Sequence, residues 1–554
     1  MFSSAFLPLI AAALLPTLVV TQETDTITAP TVEVRNGTYA GLYNPTYDQD
    51  LFLGIPYAQP PTGELRFRPP QSLNTTWNDT RPATAYYNEC IGYGQDDWPW
   101  TDVVSEDCLA LSVVRPHGIN SSTNLPVVFW LHGGEFAEGG TRDARYNLSY
   151  IVQQSVEMQS PIIGVTVNYR LSGWGFLYSQ EVAAEGSANL GLRDQRLALY
   201  WVQENIASFG GDPSRVTIWG QSAGANSVGL HMVAYNGQND DIFWGGIAES
   251  GAVPSLAAYM SASDSQPYYD AVVNATNCTG ASNTLTCLRQ VPTATLSSIF
   301  NSSLVAGAGY HPVIDGTFLT TSGITNLLTG QFTKTPLLIG TNFDEGTKYA
   351  PHSCNTTDQF LSLVQANGTN YTSALTIASL YPDDPAVGIP GTLHGRPPPS
   401  YGYQWKRVAA FLGDLLMHSP RRLTTQSLAR WNVTSYVYHW NVMTLGPLDG
   451  AAHGYEIPFS FHNYDYLGDE QGRANGTWPQ LSTMMSRMWV SFINHLDPNY
   501  NNVTNVHWPA YTLDHPRNMV FDVNVTGLAY VEPDTYRAEG IGYITSILQS
   551  AFNR

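Results

Sequence analysis

Nine residues, Val216-Thr217-Ile218-Trp219-Gly220-Gln221-Ser222-Ala223-Gly224, limit this chain more than any others. A β-branched, aromatic run breaks at glycines that flank a serine, and a Ser/Ala/Val-containing helix start follows. Upstream, Gly211-Asp212-Pro213 turns the chain into the run. The reading is a buried strand, a sharp turn and a helix. In such a turn the glycines have a steric task, because strand and helix pass too close for side chains and the serine sits in a strained conformation. A bare G-x-S-x-G is weak in a chain holding 48 glycines, so its position between strand and helix carries the reading of Ser222 as an exposed nucleophile.

Other apolar runs predict the sheet around it. Leu125 to Leu131, Ile162 to Val167, Gly246 to Ala248 and Pro336 to Ile339 are apolar without alternation, as strands covered on both faces are. The segment Asp194 to Phe209 places Ala198, Val202 and Ile206 at i+4 steps and ends at Gly210-Gly211, which predicts a helix packed on that sheet. An open, mostly parallel α/β sheet flanked by helices follows. Val32 to Tyr57 suggests small antiparallel strands ahead of it, and the Pro- and Gly-rich stretch Gly388 to Tyr403 reads as a long rim loop. With no internal repeat and no low-complexity run, one elaborated domain over residues 22–554 is expected.

Ala5 to Val20 is an apolar run too short for a membrane span and broken by Pro8 and Pro16, so residues 1–21 are read as a secretory signal. After its removal no membrane association by helices is expected. Many N-x-[S/T] sequons, among them Asn36, Asn74, Asn78, Asn367, Asn370, Asn502 and Asn524, fit a secreted glycoprotein. Of five cysteines, Cys90 with Cys108 and Cys278 with Cys287 are the short-range pairs for an oxidising compartment, leaving Cys354 over. A net charge of −20 excludes a protein that works by neutralising nucleic-acid phosphates. No CxxC or HExxH spacing suggests a metal.

A serine hydroxyl needs a base, and the base needs a carboxylate to hold its tautomer. In chain order Ser, acid, His, the strand and polar turn 335–346 offer Asp344 and Glu345, and the small-residue loop 450–456 offers His453. Residues alone leave both choices open among two acids and 13 histidines. Leu131-His132-Gly133-Gly134-Glu135-Phe136 follows another strand and can aim backbone amides at a developing oxyanion, with Gly134, Glu135 and Ala223 as the donor candidates.

Motifs in a fixed order along the chain carry a resemblance: FLGIPYAQPPTGELRF from Phe52, SEDCLALSV from Ser105, VNYRLSGWGFL from Val167 and NLGLRDQRLALYWVQENIASFGGDP from Asn189. WGQSAGA, GTNFDEG, GAAHGYEIPF and WPAY follow. In these the sequence resembles the carboxylesterase type-B family, the cholinesterase and carboxylesterase branch of the α/β-hydrolases. The resemblance implies an α/β-hydrolase fold and a serine esterase acting on small-molecule esters with no metal or organic cofactor. It implies Ser222 as nucleophile, Glu345 as acid and His453 as base, with Gly134, Glu135 and Ala223 as oxyanion-hole amides and Ser250 behind the acid. It also implies the bridges Cys90 to Cys108 and Cys278 to Cys287, and ion pairs Arg66 with Glu106 and Arg170 with Asp194.

Gln221 departs from the cholinesterases, which carry Glu there, and so removes a charge that favours cationic substrates. Trp98, ten residues before Cys108, resembles a choline-binding Trp and is the candidate for substrate contact, weighed against loop packing. Only 17 residues separate Cys90 from Cys108, too short for the long flap of the family's lipases, so esterase is expected over interfacial lipase. A non-catalytic binding module, the reading from another class, is disfavoured because every piece of the triad is retained.

Overall fold

The computed structural model describes residues 29–94, 103–467 and 476–554. The signal segment and Trp98 lie outside the described residues. Among those described, the strands in chain order are β1 (Thr31–Val34), β2 (Gly37–Ala40), β3 (Leu42–Asn44), β4 (Gln49–Pro56), β5 (Thr80–Pro82), β6 (Glu89–Cys90), β7 (Val104–Ser105) and β8 (Ala110–Pro116). They continue with β9 (Leu125–Leu131), β10 (Ile163–Val167), β11 (Gly211–Gln221), β12 (Gly245–Glu249), β13 (Leu337–Asn342), β14 (Ser435–Trp440), β15 (Arg517–Phe521) and β16 (Ala529–Pro533).

The main sheet is 11-stranded, in the order β16-β15-β14-β13-β12-β11-β9-β10-β8-β4-β3. From β15 through β10 every pairing is parallel. Antiparallel pairs close both flanks, β15 with β16 on one side and β10 with β8, β8 with β4 and β4 with β3 on the other. A smaller sheet, β1-β2-β5, lies N-terminal to it. Its β1 and β2 form an antiparallel hairpin, whereas β5 joins β2 in parallel because it returns after an excursion rather than through a tight turn.

Continuous apolarity has the expected cause. In β9, Val127, Phe129 and Leu131 enter one buried cluster while Val128 and Trp130 enter the cluster on the opposite face. Successive strand side chains alternate, so a strand covered on both sides has no polar face to show. The helix expected from Asp194 begins earlier, as α1 (Leu190–Asn205), and its last stretch tightens into a 3-10 turn, Ile206–Phe209. Gly210, at φ 88°, stops it, as a left-handed glycine after a helix end does. The stretch Gly388 to Tyr403 is irregular apart from the short turn Pro399–Tyr401.

Candidate active site

The site is built where parallel strands end. Strand β11 runs into Ser222, whose φ of 57° and ψ of −121° are held by α2 (Ala223–Val233) starting at the next residue. The flanking glycines are obligatory: a Cβ on Gly220 would meet the Gly224 carbonyl carbon at 2.4 Å, and one on Gly224 would meet the Leu131 oxygen at 2.0 Å. The Ser222 N–H donates to the Glu249 carbonyl at the end of β12 (2.8 Å), which ties the turn to the sheet.

Strand β13 delivers Glu345 three residues after its end. Its carboxylate Oε1 accepts from the Asn342 N–H (2.7 Å) and the Ser250 hydroxyl (2.6 Å), and Oε2 faces His453 Nδ1 at 2.6 Å. Asp344 points elsewhere, its Oδ2 accepting from the Ala451 N–H at 2.8 Å. Burial pushes Asp344 up to about 6. For His453, burial works against protonation, but the Glu345 charge and its hydrogen bond, with smaller contributions from Glu456 and Glu135, more than offset it and raise the pKa above the ordinary imidazole value.

The loop after β9 lies against this pair. A Cβ on Gly133 would meet Ser222 Cβ at 3.1 Å. Gly134 at φ 103° and Glu135 at φ 56° turn the loop, and the Tyr169 hydroxyl pins it through the His132 carbonyl (2.8 Å). Burial holds His132 down at about 4, a neutral ring stacked on Tyr169 at 4.4 Å. The N–H groups of Gly134, Glu135 and Ala223 donate to no protein acceptor among the described residues.

The structure therefore joins Glu345, His453 and Ser250 directly and sets Ser222 beside them. Among the described hydrogen bonds, Ser222 Oγ is not joined to His453: His453 Nε2 faces Gln221 Nε2 at 3.3 Å, and the Tyr349 ring packs edge-on against the imidazole (centroids 5.3 Å apart). Sequence reasoning missed Tyr349, although its place four residues after Glu345 on one turn was a usable signal. It also missed two buried carboxylates behind Ser250. Asn342 Nδ2 donates to Glu456 at 2.5 Å and Trp489 Nε1 to Glu249 at 2.7 Å. Burial pushes both up, and the Glu345 charge on Glu456 and the Glu456 charge on Glu249 push them further.

Both expected disulfides are formed, Cys90 with Cys108 and Cys278 with Cys287, and Cys354 is free and buried. Arg66 pairs with Glu106, and Arg170 with Asp194, each at 2.7 Å and buried. Among the described residues no group of His, Cys, Asp and Glu is arranged to hold a metal ion, and no helix is long and apolar enough to cross a membrane. A cleft of about 560 Å³ opens beside His453, lined among others by Lys348, His352, Tyr401, Trp405 and Tyr455.

A sheet of this order, with a strained serine at the end of β11 and an acid and histidine on later loops, defines an α/β-hydrolase. Residues 28–535 match the model of the carboxylesterase family, and the chain belongs to that family of carboxylic ester hydrolases. It is 38% identical over 534 residues to "Secreted lipase 1" of Botryotinia fuckeliana, covering 88% of this chain and 87% of that protein. It is 34% identical over 558 residues to "Lipase 4" of Diutina rugosa, covering 92% and 95%. The crystal structure of Aspergillus niger EstA superposes with a TM-score of 0.82 at 29% identity, covering 95% of this chain and 99% of that one.

Proposed function

We propose that this ester hydrolase works through an acyl-enzyme on Ser222. The observation that carries the reading is the 2.6 Å contact of Glu345 with His453 Nδ1, which fixes the imidazole proton on Nδ1 and leaves Nε2 as the base. His453 takes the Ser222 proton as Oγ attacks the ester carbonyl, and the amides of Gly134, Glu135 and Ala223 receive the oxyanion. His453 then gives that proton to the leaving alcohol. Water repeats the sequence to release the acid. Reaction with a fluorophosphonate, followed by peptide mapping, tests it: one adduct on Ser222, absent in Ser222→Ala, supports the assignment, and labelling that survives the substitution overturns it.

A secreted enzyme is part of this reading, supported by two disulfides and by relatives whose names call them secreted. A second reading, a lipid ester as substrate, has its own support. Leu445 and Tyr466 at the cleft are 59% and 47% exposed and offer apolar surface to an acyl chain, and the relatives are named lipases. The short Cys90 to Cys108 segment favours soluble esters instead. Hydrolysis rates across p-nitrophenyl esters of increasing chain length, and tributyrin below and above its solubility limit, separate the two. A rise only above that limit selects the lipid.

A further inference from the structure

Two sequons, Asn36-Gly37-Thr38 and Asn74-Thr75-Thr76, contribute their asparagines to one groove of about 370 Å³, bounded by the β1–β2 turn, the segment 72–76 and α1. Leu197, Tyr200 and Trp201 of α1 form its wall. Trp201 is 5% exposed, and its indole N–H donates to no acceptor among the described residues. The Tyr200 hydroxyl is fixed on Asp240 at 2.7 Å, which sets its ring in place. At the rim, exposed Arg35 and Glu204 pair at 2.7 Å. The two asparagines differ in what holds them. The Asn36 side-chain amide donates to the Thr75 carbonyl at 2.8 Å and ties the hairpin turn to the segment 72–76, whereas Asn74 is exposed and its side chain makes no hydrogen bond among the described residues.

We propose that Asn74 carries an N-linked glycan whose first N-acetylglucosamine units lie in this groove, against Tyr200 and Trp201. This rests on the reading of the chain as secreted, because the sugar is added along the secretory route. In the transfer step Asn74 Nδ2 displaces a lipid-linked diphosphate from the anomeric carbon of the donor oligosaccharide: the N–C bond forms, the C–O bond breaks, and one amide proton passes to the host transferase. A pyranose ring has a C–H face and a hydroxyl edge, so it packs the face on an aromatic ring and turns the edge to polar groups. The groove supplies both, the rings of Tyr200 and Trp201 for the face, and the Trp201 N–H with the Arg35–Glu204 pair for the edge. Attachment at the rim holds the sugar at an effective concentration on the order of millimolar, so a weak seat suffices.

The full chain, secreted from a yeast host under its own residues 1–21, tests this by peptide mapping during digestion with endoglycosidase H. The expected result is a glycan at Asn74 that is trimmed roughly tenfold more slowly in the folded than in the denatured chain, because the enzyme reaches only sugars that have left the groove. Tyr200→Ala, with circular dichroism confirming the fold, should keep the glycan and bring its trimming to within about twofold of the denatured rate. Glycans on other sequons beside a bare Asn74 would overturn the proposal, as would equal trimming in the folded and denatured parent chain, or a folded rate that Tyr200→Ala does not raise. A chain with no sugar on any sequon sinks the secreted reading and this inference with it, whereas the other three results sink the inference alone.

Discussion

Replacing Glu345 by Gln should disable the base without disturbing its position. Glu345 Oε1 accepts from the Asn342 N–H at 2.7 Å and from Ser250 at 2.6 Å. A backbone N–H can only donate, so the glutamine oxygen must take the Oε1 place and its NH2 must face His453 Nδ1. His453 then has to accept at Nδ1 and carry its proton on Nε2, the atom that the proposed mechanism requires to receive the Ser222 proton. A wrong tautomer of this kind costs about 10⁴-fold in kcat, or about 5 kcal/mol of transition-state stabilisation. KM should change little, since no substrate contact is lost. Steady-state kinetics on a p-nitrophenyl ester, with circular dichroism to confirm the fold, provide the assay. Asp344→Asn is the control: Asp344 bonds Ala451 rather than His453, and the variant should keep kcat within about threefold. A loss below tenfold in Glu345→Gln, or an equal loss in Asp344→Asn, would refute the geometry.

Activity should rise with pH through an apparent pKa above the ordinary imidazole 6.5, because only neutral His453 accepts a proton and its carboxylate neighbours hold the proton on. Glu135→Gln removes one of those charges and should move the acid limb downward; an upward or absent shift contradicts the assignment. Asp534 accepts from Arg421 (2.7 and 2.9 Å) and Arg422 (2.7 and 3.0 Å), and although burial opposes ionisation, the two guanidinium groups hold its carboxyl well below the usual range. Its stabilisation is present above the unfolded carboxyl pKa of about 3.9 and fades as pH falls toward the folded value. Asp534→Ala should cost about 3–5 kcal/mol, visible as faster thermal inactivation at pH 7, and a parent-like half-life would show the cluster to be idle. Cys90→Ala with Cys108→Ala opens a loop of sequence separation 18 and should cost about 3 kcal/mol by the same assay; no change would mean that the reduced chain is held together by its other contacts.

Where burial was two-sided, the sequence already spelled the fold. Leu125–Leu131 was legible to the residue because every position is buried. Strand β14, SYVYHW, escaped because its tyrosines and His439 look polar in a row yet lie buried in the sheet. The helix α3 (Thr477–His495) escaped too: its first-turn Pro479 and repeated serines mask an apolar stripe whose Trp489 and Phe492 are buried. In the site, Ser222 announced itself through glycines that geometry makes irreplaceable. Residues alone did not separate Glu345 from Asp344, since both follow one strand and only the turn decides which faces His453. Glu249 and Glu456 were hidden for a related reason: Trp489 and Asn342, the groups that donate to them, lie far away in sequence.

The buried thiol of Cys354 bears on how the chain is made rather than on how it works. Five cysteines permit fifteen ways of forming two bridges, of which one is found in the folded protein. Once folded, Cys354 is shielded, its side chain 3.7 Å from the Thr356 carbonyl oxygen within a cluster that includes Phe360 and Trp405. Before that cluster closes, it competes with the other four for every oxidant. Replacing it by Ala leaves three arrangements, so the yield of oxidative refolding should climb even where the finished molecule is no more stable.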